Sequence, residues 1–218
     1  MEKKEKFTKK YLIVNEVFNA VTHGIGFFFS VAGLVLLIVK GARLHSPIHV
    51  VSYVIYGSCL ILLFLSSTLF HSLIFTKAKK VFQVFDHCSI FLLIAGSYTP
   101  FCLLALPLKR GIILLSIIWL LAILGIVYKS LTLHKKATVS KVSTIIYLIM
   151  GWLVVFSLPQ LMHSIGKTGV LLLFLGGVSY SIGALLYSLK NIRFMHVVWH
   201  LFVLLAAFLM FFSVYLYT

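Results

Sequence analysis

Long apolar runs, separated by connections too short to fold by themselves, dominate this chain. A hydrocarbon core of about 30 Å is crossed by an α-helix of about 20 residues. Inside lipid the backbone polar groups must be satisfied within the protein, and a helix does so within each run. Seven runs are long enough, at about 18–39, 49–74, 85–106, 111–129, 142–162, 169–189 and 195–217. With 61% hydrophobic residues and a mean hydropathy of +1.11, the 218-residue chain is too apolar to fold in water behind a polar exterior. The expected fold is an all-α integral membrane protein, a seven-transmembrane-helix bundle. Residues 18–217 are expected to form one domain behind a basic segment, 1–17.

The formal net charge of +15 raises the question of nucleic acid. The 19 Lys and Arg lie between apolar runs and form no stripe with aromatics among them, so no nucleic-acid partner is expected. Their distribution instead suggests topology. Fourteen fall on one side: Lys3, Lys4, Lys6, Lys9, Lys10, Lys77, Lys79, Lys80, Lys129, Lys135, Lys136, Lys141, Lys190 and Arg193. Five fall on the other: Lys40, Arg43, Lys109, Arg110 and Lys167. The positive-inside rule then puts the N-terminus in the cytoplasm and the C-terminus outside. The first run exceeds a signal-peptide core and lacks a small-residue cleavage site, so it is expected to persist as a helix. Cys59, Cys88 and Cys102 lie within runs without metal-type spacing and read as small apolar fillers.

Only four residues are acidic, Glu2, Glu5, Glu16 and Asp86, so carboxylate chemistry must use Glu16 or Asp86. An ionisable residue inside a span is costly and suggests a functional site. His196 and His200, in the last run, are separated by about 6 Å of rise and about 40° of rotation, so both can reach one ion. His71 lies about one turn before the end of the second run, and Asp86 opens the third from the same side. These residues share one depth near the cytoplasmic surface. His45 and His49 have the same spacing, but Pro47 lies between them in a connection where a continuous helix face is not expected. His87 points about 100° from Asp86 and is not expected to be a ligand. His134 and His163 fall in or near connections and read as solvated.

Three neutral imidazoles leave one position on zinc for water, as in catalytic zinc sites. Asp86 can orient that water or take its proton. Its alternatives are a fourth ligand, or an ion pair with Lys79 or Lys80. Ser67 lies one turn from His71 on the same face; it either serves the site or bonds its own backbone. Glu16, Asn19, Thr22, His23 and Gly26 form a stripe on the first helix. Glu16, Asn19 and His23 are candidates to support the ligands, the alternative being hydrogen bonding between helices.

Together these motifs resemble the haemolysin III family, the bacterial branch of the progestin and adipoQ receptor superfamily. The matching pieces are Glu16-x-x-Asn19-x-x-Thr22-His23-x-x-Gly26, Ser67-x-x-x-His71, Asp86-His87-x-x-Ile90-Phe91 continuing to Gly96-Ser97-Tyr98-Thr99-Pro100, and His196-x-x-x-His200. The resemblance spans nearly the whole chain. It implies a bacterial cell-membrane protein with seven spans, a cytoplasmic N-terminus and zinc held by His71, His196 and His200, with Asp86 and Ser67 beside the water. Kinship with alkaline ceramidases implies hydrolysis of a lipid amide or ester, so a membrane lipid is the expected substrate or ligand. The competing expectations are a receptor or sensor with structural zinc, and a cytolytic membrane protein. No oligomeric state follows from the residues.

Overall fold

A computed structural model describes residues 8–133, 141–188 and 192–218. Among them run α1 (Lys9–Arg43), α2 (Pro47–Ser72), α3 (Lys79–Pro100), α4 (Leu108–Leu133), α5 (Lys141–Trp152), α6 (Leu158–Ser188) and α7 (Met195–Tyr217), with no strand. A π-helical turn, Phe101–Ala105, extends α3, and a 3-10 turn, Leu153–Ser157, joins α5 to α6. Lys3, Lys4, Lys6, Lys135, Lys136, Lys190, His134, Glu2 and Glu5 lie outside the described residues.

Six described segments are long and apolar enough to cross a membrane: α1, α2, Lys79–Ala105, α4, Val142–Ser188 and α7. The run expected at 142–162, and that at 169–189 up to its last described residue, both fall within the 47-residue Val142–Ser188. Straight, that segment would reach about 70 Å, more than twice a bilayer core. It does not run straight. Gly166 takes φ 70° and ψ 176°, outside helical geometry and strained for any residue with a Cβ. The Trp152 indole donates to Ser181 Oγ at 3.0 Å, and its ring lies 5.7 Å from that of Phe174. Residues before and after Gly166 therefore face one another.

Two boundaries differ from the sequence expectation. α1 starts at Lys9 instead of about 18, because Thr8 caps it, its side chain accepting from the Tyr11 N–H at 3.3 Å. The polar first turns are invisible to an apolar-run criterion. Lys129, expected in a basic connection, is 2% exposed inside α4, which continues to Leu133.

α1 packs against both α2 and α7, α2 also against α3, and α6 against α7. The buried stripe of α1 is Asn19, His23, Gly26, Ser30, Gly33, Leu37 and Gly41, small or polar residues that let neighbouring helices approach. A Cβ on Gly26 would lie 2.6 Å from Phe64 Cδ1, so this glycine sets the α1–α2 separation one turn from His23. Large apolar side chains such as Phe28 and Leu108 cover the outside, as suits contact with lipid.

Candidate metal centre

His71 ends α2, while His196 and His200 occupy the first turns of α7. Their ring centroids form a triangle: His71 lies 5.0 Å from His196 and 5.0 Å from His200, and the α7 pair is 4.7 Å apart. One ring nitrogen from each falls within 4.8 Å of the others.

Neighbouring groups set which nitrogens can act as ligands. His71 Nδ1 lies 2.5 Å from Glu16 Oε2. His200 Nδ1 lies 3.2 Å from the Asn19 carbonyl oxygen and 3.4 Å from Thr22 Oγ1. A carbonyl or an ionised carboxylate only accepts, so both Nδ1 atoms carry the proton and both Nε2 atoms present lone pairs. Among the described residues these two buried Nε2 atoms have no hydrogen-bond partner. Leaving a buried acceptor unmet costs about 1–3 kcal/mol. A divalent cation with an affinity for imidazole fits this donor set, and the Glu16–His71 pair is the support such ligands receive in metal sites.

The turn before α7 places His196. Phe194 adopts φ 60° immediately before the helix, and its N–H donates to Tyr11 Oη at 2.8 Å. The Tyr11 and Phe194 rings meet at 5.0 Å. The first turn of α1 thus anchors the first turn of α7. Sequence inspection missed Tyr11, since no local pattern links residues at opposite ends of a chain.

The other candidates distribute unevenly. Ser67 is buried, and its Oγ has no partner among the described residues. Asp86 is buried but lies outside the three-histidine cluster. Its carboxylate is 3.7 Å from His87 Nδ1, and among the described residues it makes no ion pair with Lys79 or Lys80. Lys79 lies instead over the Phe70 ring, 5.6 Å from its centroid. Asp86 lines a largely apolar cavity of about 130 Å³, whose wall also includes His23, Tyr147, Tyr187 and Trp199. The His23 ring stacks on His200 with centroids 3.5 Å apart, and Trp199 lies 5.0 Å from His200, so the cavity adjoins the histidines.

His87 lies outside the cluster, its Nδ1–H donating to the Gln83 carbonyl at 2.7 Å. His45 and His163 are exposed, and His49 Nδ1 is 2.7 Å from Ser46 Oγ. Cys59, Cys88 and Cys102 are buried free thiols.

A family profile described as Haemolysin-III related matches residues 11–211, from the first turn of α1 almost to the end of α7. The chain belongs to the haemolysin III family. It is 44% identical over 207 residues to the hemolysin-3 homolog of Bacillus subtilis, covering 95% of this chain and 96% of that protein. Hemolysin-3 of Bacillus cereus is 42% identical over 214 residues, 98% of this chain and 96% of that one. The human monocyte to macrophage differentiation factor is 33% identical over 170 residues, 75% of this chain and 68% of that one. This haemolysin III chain is therefore a multi-pass cell-membrane protein within the progestin and adipoQ receptor superfamily.

In this haemolysin III protein the first helix does more than the sequence indicates. It lies against both helices that carry the cluster and touches one candidate ligand on each, Glu16 on His71 and the Asn19 carbonyl on His200. The three-to-four-residue spacing on α1 was the available signal, and it identified the face without identifying the neighbours.

Proposed function

We propose that this protein is a zinc-dependent hydrolase of an amide or ester bond in a membrane lipid. The observation that carries the proposal is the convergence of three imidazoles beside an apolar cavity with one carboxylate in its wall. The reading includes seven crossings, a cytoplasmic basic segment at 1–17 and a single domain at 18–217 whose end lies outside. The reversal at Gly166 supports the count, and the fourteen-to-five distribution of Lys and Arg supports the orientation.

His71, His196 and His200 would hold the ion. Bound zinc supplies Lewis acidity, which lowers the pKa of water and polarises a carbonyl. Glu16 holds the His71 ring in the tautomer that presents Nε2, and the Asn19 carbonyl does the same for His200. The Asp86 carboxylate accepts a proton from the attacking water and returns it to the leaving amine or alcohol as the carbon–nitrogen or carbon–oxygen bond breaks. Ser67 Oγ donates to the water or to the developing oxyanion. Leu93, Ile94 and Met210 in the cavity wall suit an acyl chain and exclude bulk water.

Purified protein with one zinc per chain should release fatty acid from a fluorescent ceramide or from the matching ester. Asp86→Ala should retain zinc and lose turnover. Zinc-loaded wild type that hydrolyses no lipid amide or ester would overturn the hydrolase. The contacts of α1 with both ligand helices favour a second reading, a receptor or sensor in which zinc ties the bundle together. In that case His200→Ala would lower thermal stability and Asp86→Ala would leave the output intact.

A further inference from the structure

His23 is 1% exposed, and among the described residues neither of its ring nitrogens has a hydrogen-bond partner. Burial without partners is costly for a group with both a donor and an acceptor, so its retention calls for an occupant. Neighbouring rings take up much of its surface. One face stacks on His200, with the planes 9° from parallel and centroids 3.5 Å apart. Phe64 meets it at 5.1 Å with the planes 89° apart. His23 also lines the apolar cavity together with Asp86 and Trp199. These contacts pack the ring beside a largely apolar cavity, where a hydrogen bond gains strength from the low dielectric.

We infer that His23 contacts the substrate, its imidazole N–H donating to the carbonyl oxygen of the lipid whose acyl chain occupies the cavity. The inference rests on the hydrolase reading and deepens it, since it assigns recognition of the carbonyl to a residue that is not a ligand. A neutral imidazole supplies this bond without changing its protonation. The apolar walls hold the chain, and His23 selects the functional group attached to it.

The test is equilibrium binding to the full chain in detergent after chelator treatment, so that zinc and turnover make no contribution. The probes are a 1-acylglycerol and the 1-O-alkylglycerol of equal chain length, neutral molecules that differ only in the carbonyl. Wild type should prefer the ester by about 3- to 10-fold, the range of one net hydrogen bond. His23→Phe keeps the stacked ring but loses the N–H, so the preference should fall to about one while ether affinity is unchanged. His23→Gln, which retains a donor, should restore part of the preference. Both variants should take up zinc as wild type does.

No preference in wild type, or an undiminished preference in His23→Phe, would overturn the inference, as would equal loss of both ligands in His23→Phe and His23→Gln. Should His23→Phe fail to fold, the reduced preference in His23→Gln decides, and an unchanged one overturns. A His23-dependent preference without any lipid hydrolysis by the zinc-loaded protein would sink the hydrolase and leave this contact standing. Hydrolysis without that preference would do the reverse.

Discussion

Two histidine pairs in this molecule have the same spacing and different surroundings. His196 and His200 lie on one continuous helix, pointing at His71 from α2. His45 adopts φ 48° in the turn before α2, Pro47 occupies the first turn of that helix, and His49 is engaged with Ser46. Four-residue spacing brings two rings together only where an unbroken helix supplies the rotation. Even then a pair needs a third donor at its own depth and a second group to fix each tautomer. The α7 pair has His71 beside it, with the Asn19 carbonyl on His200 and Glu16 on His71, whereas His45 and His49 lie outside any three-residue cluster among the described residues.

The strongest challenge to this contrast is removal of a ligand. His200→Ala should take bound zinc from about one per chain to near zero by elemental analysis, while His45→Ala stays at the wild-type level; equal loss in both would erase the distinction. Next in size is Asp86→Ala, expected to lower lipid turnover about 10²- to 10⁴-fold with zinc unchanged, measured by release of labelled fatty acid. Glu16→Gln should weaken zinc binding about 10- to 100-fold in competition with a chromophoric chelator. An affinity equal to wild type would remove Glu16 from the support of His71. The smallest effect belongs to the other pair: His49→Ala, which loses the contact with Ser46, should cost about 1 kcal/mol or less by thermal unfolding in detergent.

Much of this contrast was readable in the sequence. Apolar runs gave the helices, and run boundaries gave depth, which grouped His71 with His196 and His200 before any contact was known. The discounting of His45 and His49 needed only Pro47. Periodicity reveals which face of a helix is polar, but not which helix that face meets. Hence the position of α1 between α2 and α7, and the contact of Glu16 with His71, emerge only from tertiary packing. The reversal at Gly166 was hidden for a different reason, since a glycine in an apolar run can be a helix residue or a break. Lys129 was misplaced because a charge reads as the end of a run, although a long aliphatic stem lets it remain inside a helix.

The joining of α1 to α7 also matters during synthesis. More than half the chain separates His71 from His196, and ribosomes add about 5–20 residues per second. The second helix therefore waits several seconds in the bilayer with His71 lacking its two partners in the cluster. If the three histidines hold a metal, its capture must follow arrival of the last helix, so a nascent chain halted before α7 cannot assemble the cluster. Occupancy of the proposed zinc site would then record that translation and insertion had both run to completion.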